Sequence, residues 1–522
     1  MLRVSALLNL SDDNFNPLFF MIKSCHLTNF YYFCIMNMKS KEHAYPNVIG
    51  RNVPITTILD AVYSNSSEFI AVYGRRRIGK TFLIKEIFND CFSFSYTGIE
   101  EFSTRQQLGE FHRYLLRYGL PKCGKPHNWF DAFDMLRSLI ESKQAKAFKY
   151  AKKIIFLDEL PWMDAKGSDF VKALAHFWND WAAWTKDIML IICGSATSWM
   201  MKKVFSNRGG LYDRVTKQIY LKPFTLNECE LFCKVHNIHW TRNLMIEAYM
   251  IIGGIPYYWK MLDPNKSLNA NIDALFFDND APMKLEHHIL FKSMFSSPEK
   301  YESIINVLAN RKKGMTAKDI SEACDIGMSA RLTDMIENLK LSGFIVESVQ
   351  PTKRKRGVIY QLSDNFILFY HDFIVKRKGK SNFWSAHSQT GITNAWRGLA
   401  FERVCAQHIP QIQKTLGISG VYCNYYSWIG HETEEYPAMQ IDLIIDRADG
   451  IVNICEMKYT NGPFPISSDY LEELKLRCIR YQKEVAPRKG VQLTIVAAYG
   501  ITKNNQASEI NSVVAIDDLF EP

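Results

Sequence analysis

The 522-residue chain has no apolar run that reaches the ~18 residues a membrane-crossing helix requires, so no bilayer-spanning segment is expected. It also lacks a paired-cysteine framework. Twelve cysteines are scattered along the chain, and Cys193 and Cys455 fall inside strand-like apolar runs. That pattern suits reduced core thiols of a cytoplasmic protein and argues against a secreted disulfide scaffold. Cys229-x-x-x-Cys233-x-x-His236 fits one face of a helix better than a zinc site, since no second ligand pair follows. The first residues lack the charged, apolar, small order of a signal peptide: Asp12, Asp13, Asn14, Asn16 and Pro17 interrupt them. Residues 1–45 are therefore expected to lie outside the folded domains. They read as a mis-called start, with the true beginning near Met36 or Met38, or as a floppy partner-binding arm. Neither charge dominates: the net charge of +9 permits nucleic acid as a partner without demanding it. With 47% hydrophobic residues over this length, the chain is too long for one core and should divide into three or four domains.

Against these absences stands one dense stretch. Glu68–Thr81 reads EFIAVYGRRRIGKT and runs into the helix-forming FLIKEIF. Gly74, Arg75, Arg76, Arg77, Ile78, Gly79, Lys80 and Thr81 make the phosphate-loop spacing between a buried strand and a helix. The glycines let the backbone turn its N–H groups toward phosphate oxygens at a helix N-terminus. Lys80 is suited to bridge the β- and γ-phosphates of ATP, and the Thr81 hydroxyl to join Mg²⁺.

Downstream, AKKIIFLDE is an apolar strand that lifts Asp158 and Glu159 to its carboxyl end, where ligands gather in parallel sheets. Asp158 is expected to hold Mg²⁺ and Glu159 to polarise the attacking water. DIMLIICGS is a further buried strand, whose Ser195 either senses the γ-phosphate or caps a helix. Arg208 and Arg214 are both candidates for the arginine that stabilises charge during hydrolysis. Gly253-Gly-Ile-Pro256 ends a helical segment, with Pro256 placed against the nucleotide. Strands alternating with helices in this way imply a parallel, three-layer α/β sheet.

GRRRIGKT, IIFLDE, CGS, LYDR…LKPF and GGIPYY together resemble the archaeal-type ATPases on the AAA+/STAND side of the P-loop NTPases, in the MNS clade. The resemblance covers residues 46–265. It implies a core sheet of order 5-1-4-3-2 over 46–223 and a helical lid over 224–298. One departure is that Gly50-Arg51 is followed by Asn-Val-Pro, where the family usually has a glutamate.

Residues 299–365 change character. YESIINVLA, TAKDISEAC and SARLTDMIENLKLSGFI are three helical patterns, and two strands then flank Lys353-Arg-Lys-Arg356. This is the pattern of a winged helix-turn-helix. Its basic wing either tracks DNA phosphates or is solvated while the module packs between neighbouring domains.

Over 366–522, AWRGLAFERVCAQHI is an amphipathic helix bearing Glu402. MQIDLIID and IVNICEMKYT flank Asp449-Gly450, a strong hairpin signal. Period-2 alternation puts Glu456 and Lys458 on one face, with Asp442 across the hairpin. Carboxylates from Glu402, Asp442 and Glu456 are suited to hold Mg²⁺, and Lys458 to orient the nucleophile of phosphodiester hydrolysis. This region resembles the PD-(D/E)XK nuclease fold, with VQLTIVAAYG completing an αβββαβ core. The resulting expectation is an ATPase governing a DNA-directed nuclease-like domain through the winged helix. The alternatives are an ATP-driven switch that self-associates or binds a protein partner, and a DNA-binding regulator. In both of these the C-terminal domain is inert.

Overall fold

The computed structural model describes residues 45, 47–142, 150, 152–206, 211–311, 314–349, 358–378 and 380–522. The described residues before Gly50 and the chain from Gly50 to Pro522 belong to two different units. In the first, the Val48 N–H donates to the Tyr45 carbonyl at 2.9 Å, and most of the extension expected over 1–45 lies outside the described residues.

The second unit begins with five strands: β1 (Glu68–Tyr73), β2 (Phe94–Thr97), β3 (Lys153–Asp158), β4 (Ile188–Gly194) and β5 (Lys217–Tyr220). They form an all-parallel sheet in the order β2-β3-β4-β1-β5, the order the sequence implied. Every residue of β4 is buried, as are all but the last of β1. Strands of a parallel sheet are covered on both faces, which is why they read as continuous apolar runs. Aromatic side chains from the flanking helices, among them Phe111, Trp129, Phe133, Phe170 and Trp178, fill one of these layers. The second strand starts only at Phe94, because Asn89 and Asp90 adopt positive φ and turn the chain out of the preceding helix first.

Helices Leu226–Val235, Arg242–Ile252, Pro256–Lys260, Leu268–Ile272 and Met283–Met294 follow the sheet. Cys229 and Cys233 lie buried on the first of these, and the His236 ring stacks on Phe232 at 4.1 Å. The cysteines of the described residues are free thiols. Next come helices Pro298–Ala309, Ala317–Cys324 and Ala330–Leu341, then the antiparallel pair β6 (Ile345–Val349) and β7 (Val358–Leu362). Lys353–Arg356, which fall between these strands in the sequence, lie outside the described residues. The third of these helices packs on Thr197–Trp199, just beyond Ser195, and the Lys202 ammonium meets Asp334 at 3.2 Å.

The last region has helix Gly391–Gln407, then β8 (Cys423–Gly430), β9 (Met439–Arg447) and β10 (Ile451–Lys458). Helix Ser468–Glu484, β11 (Gly490–Ala497) and β12 (Ser512–Ala515) follow. The sheet order is β12-β11-β10-β9-β8. β8, β9 and β10 are antiparallel neighbours, whereas β10, β11 and β12 run parallel. The hairpin turn falls at Asp449-Gly450, with Gly450 at φ 86°. Among the described residues no helix is long and apolar enough to cross a membrane.

One buried histidine ties this region to the helices after the first sheet. His408 Nε2 accepts the Leu226 N–H at 3.0 Å, and Nδ1 donates to the Val404 carbonyl at 2.8 Å. Burial lowers its pKa to about 4, below the ~6.5 of an unfolded imidazole. A depressed basic group contributes stability that is fully present above the unfolded pKa and is lost as pH falls toward the folded one. The melting-temperature gap between wild type and His408→Gln should therefore narrow from pH 7 to pH 4.5, as differential scanning fluorimetry would measure. A gap independent of pH would contradict this.

Candidate nucleotide site and C-terminal carboxylate cluster

The phosphate loop leaves β1 through Gly74 at φ 143°, where a Cβ would stand 2.5 Å from the Leu221 carbonyl oxygen. A side chain there would drive the loop off the end of β5, so glycine is required. Arg77 and Gly79 also take positive φ, and Gly79 opens helix Lys80–Phe88. The buried Lys80 ammonium turns inward and donates to the Gly74 and Arg75 carbonyls, each at 3.0 Å. Burial lowers its pKa, against the opposing pull of Glu159 and Asp158.

At the carboxyl end of β3, the Thr81 hydroxyl donates to Asp158 Oδ2 at 2.8 Å. Burial, then the charge of Glu159, raises the Asp158 pKa to about 6. Glu159 sits at φ 48° on the turn that opens helix Leu160–Met163. Its Oε2 accepts both the Ser195 N–H, at 3.2 Å, and the Ser195 hydroxyl, at 2.7 Å. The strand ends thus bring together Lys80, Thr81, Asp158, Glu159 and Ser195. The oxygen donors Thr81 and Asp158 suit a hard cation such as Mg²⁺, and Lys80 with the loop N–H groups suits a polyphosphate.

The loop's arginine side chains point elsewhere. Arg75 is buried, forms an ion pair with Asp364 and lies 4.8 Å over the Phe344 ring. Asp364 also accepts the Ile367 N–H at 2.8 Å, capping helix Asn365–Phe369. Arg77 pairs with Glu286 at 2.8 Å and stacks 4.2 Å over Tyr257, the residue after Pro256. Glu286 is held on its other oxygen by the Tyr258 hydroxyl at 2.9 Å. Pro256 itself opens helix Pro256–Lys260. Arg51 lies 4.5 Å over Phe224 and donates to the Lys222 carbonyl. Arg214 is exposed on the turn before β5, and Arg208 lies outside the described residues.

The second set of sequence-flagged residues meets on β9, β10 and helix Gly391–Gln407. Asp442 lies one step beyond the Cys455↔Leu443 pairing, opposite Glu456. Glu456 is buried and heavily engaged. Oε1 takes the Lys458 ammonium at 2.8 Å and the Tyr470 hydroxyl at 2.6 Å, while Oε2 takes Arg477 at 2.9 Å. Glu402 has its pKa raised to about 7 by burial, then by the charge of Asp442. Asp442 is raised as well, by burial and then Glu456. The three carboxylates therefore feel one another, and as hard oxygen donors they suit Mg²⁺. They do not close into a ready cage, because Glu456 is drawn toward its cations: no group of three or more His, Cys, Asp or Glu among the described residues is spaced to hold a metal.

A partly buried polar path leads from the loop's Arg75–Asp364 pair toward Glu402. Asn365, next to Asp364, donates to the Tyr249 carbonyl at 3.1 Å and to Gln407 at 3.2 Å. Arg403 Nε lies 3.5 Å from Asn365 Oδ1, on the same helix as Glu402 and adjacent to it in sequence. The sequence reading missed Asp364, Glu286, Tyr470 and Arg477. Ser363-Asp364-Asn365 before an apolar run is a helix-start signal that marks Asp364 locally, but nothing local ties it to the phosphate loop.

Residues 49–262 match the family model described as an ATPase domain predominantly from Archaea, and this part of the chain is an ATPase domain of the P-loop kind. The chain is 27% identical over 410 residues to an uncharacterised protein of Methanocaldococcus jannaschii, covering 76% of this chain and 83% of that protein. Among solved structures, the Walker-type ATPase of Pyrococcus abyssi aligns at 16% identity and a TM-score of 0.41, over 62% of this chain and 95% of that one. The Aeropyrum pernix ORC2 protein, solved as ADPNP-ADP complexes, aligns at 14% identity and a TM-score of 0.38, over 65% of this chain and 97% of that one.

Removing one partner of a buried ion pair strands the other charge, which typically costs about 3 kcal/mol or more. Asp364→Ala and Arg75→Ala should each lower unfolding stability by about that much, and Asp364→Leu/Arg75→Met by less than the sum of the singles. Denaturant titration of the three variants checks this, and strict additivity would contradict it.

Proposed function

We propose that the chain is an ATP-hydrolysing switch whose nucleotide state governs a DNA-directed, nuclease-like C-terminal domain. In this reading the loop N–H groups from Gly74 to Thr81 and the Lys80 ammonium hold the polyphosphate. Thr81 and Asp158 hold Mg²⁺, which neutralises phosphate charge when bound. Glu159 positions the attacking water and accepts its proton once Ser195 turns to the terminal phosphate. Pro256 borders the nucleotide. The exposed Arg214 stabilises developing charge, from a second copy of the chain if the protein self-associates.

The three helices and hairpin over 299–365 serve as a winged helix-turn-helix. In the C-terminal domain Glu402, Asp442 and Glu456 hold a second Mg²⁺, and Lys458 orients the nucleophile. The free thiols and the absence of a crossing helix among the described residues are in keeping with a cytoplasmic setting. The single observation that carries this reading is the polar path from Arg75 through Asp364 and Asn365 to Arg403, beside Glu402.

One observation favours a second reading, in which the C-terminal domain is inert and the ATPase acts as a switch for a protein partner. Both Glu456 oxygens are already occupied by Lys458, Tyr470 and Arg477. The two readings separate in one experiment: purified protein with plasmid and linear DNA, Mg²⁺ or Mn²⁺, with and without ATP. The first predicts metal-dependent cutting that Glu456→Ala abolishes while ATP hydrolysis persists, and that Lys80→Ala alters together with hydrolysis. ATP hydrolysis without any cutting supports the second.

Because Glu402 must shed its proton to take a cation, cutting should also fall as pH drops below about 7. The test is run at Mg²⁺ well below saturation, where proton and cation compete for Glu402, and an Mg²⁺ requirement that does not rise between pH 8 and pH 6 would contradict Glu402 as a ligand.

A further inference from the structure

The phosphate loop places four cationic side chains within six residues, Arg75, Arg76, Arg77 and Lys80, and the fold treats them unequally. Arg75 is matched by Asp364 and packed on Phe344. Arg77 is matched by Glu286 and stacked on Tyr257. Lys80 is folded back onto two carbonyls of its own loop. Arg76 is the exception. Its Nη1 is buried without a hydrogen-bond partner, and among the described residues no carboxylate forms an ion pair with it. Arg75 also keeps two unpartnered nitrogens, but its charge is already balanced by Asp364. Arg76 lies close enough to Lys80 and to Glu286 for its charge to act on both.

A buried guanidinium N–H without an acceptor is the exception in folded proteins and calls for an occupant. Its planar fork fits a phosphate group. With ATP read into the loop as above, we infer that Arg76 is the loop's phosphate-binding arginine, gripping the same terminal phosphate oxygens as Lys80. Arg75 and Arg77 are structural ties that hold the loop to the rest of the fold.

This division of labour has a signature that a merely structural role cannot mimic. Among the described residues Arg76 forms no hydrogen bond or ion pair, so removing it is expected to leave the nucleotide-free melting temperature close to that of wild type. Removing Arg75 does the reverse: it strands Asp364 and lowers the melting temperature. Arg76 also meets the terminal phosphate, so its loss weakens ATP more than ADP.

The test uses the full chain, with isothermal titration of ATP and ADP in Mg²⁺ and nucleotide-free melting curves for wild type, Arg76→Ala, Arg76→Lys, Arg75→Ala and Lys80→Ala. Arg76→Ala is expected to weaken ATP about tenfold and ADP less, at an unchanged nucleotide-free melting temperature, with Arg76→Lys regaining part of the loss. Unchanged ATP affinity in Arg76→Ala, while Lys80→Ala loses it, overturns the inference and leaves the ATP reading intact. So does a nucleotide-free melting temperature lowered as far as that of Arg75→Ala. Wild type that binds no ATP overturns the ATP reading, and the inference falls with it.

Discussion

A buried guanidinium is costly unless a carboxylate meets it, and Arg75 of the phosphate loop finds its carboxylate far along the chain. Arg75 lies under the loop, away from water, and its answering carboxylate comes from Asp364, 289 positions along the chain. Such a pair adds little net stability over apolar residues of the same shape, because desolvation cancels much of the attraction. Breaking it is costly, however, and arrangements that separate the partners are penalised. Its value is thus specification: the loop can dock in one way only. Asp364 serves twice, since its other oxygen caps helix Asn365–Phe369. Asn365 then bonds the Tyr249 carbonyl and the Gln407 side chain. These contacts run without a break from the loop to a helix start and on to the helix that carries Glu402.

The two acidic clusters at the ends of this path are tuned alike. Asp158 and Glu402 are each held above the usual carboxylate range by burial and by an acidic neighbour. Buried carboxylates that repel one another favour a shared proton or a cation, so both clusters are poised for either. They differ in their lysines. The Lys80 pKa is lowered by burial within the loop. That of Lys458 is raised, because its burial is outweighed by Glu456 and Tyr470 together. Lys80 donates to carbonyls that a polyphosphate can replace, whereas Lys458 is committed to a carboxylate. Glu159 is likewise engaged, by Ser195, in a contact short enough to hold and simple enough to exchange.

Much of this was legible in the sequence, for physical reasons that differ by element. The five parallel strands are buried on both faces and so appear as apolar runs, and the phosphate-loop spacing fixes the start of one helix. Asp449-Gly450 fixes the β9–β10 hairpin and hence the face shared by Glu456 and Lys458. β8 was harder: CNYYSWIG breaks the period of two, with Asn424 and Tyr425 both exposed and Tyr426 half-buried, and carries no sharp turn signal. The start of β2 is set by Asn89 and Asp90, whose positive φ values turn the chain before pairing begins and carry no sharp signal in the sequence. The ties of Arg75 to Asp364 and Arg77 to Glu286 were not legible at all. Opposite charges are common in any chain, and only the fold selects which of them meet in the interior. Arg477 and Tyr470 escaped notice for the same reason, as polar residues on an amphipathic helix whose inward neighbour is unknown until the sheet forms.

The central claim is that the nucleotide loop and the Glu402 helix are mechanically joined through Asp364. Hydrogen–deuterium exchange of the full chain with and without ATP measures this directly. The account predicts that ATP changes amide protection along helix Gly391–Gln407 in wild type. It also predicts that Asp364→Asn, while still binding ATP, loses that change and retains the one at the phosphate loop. A helix indifferent to ATP in wild type, or one that responds equally in Asp364→Asn, would contradict it.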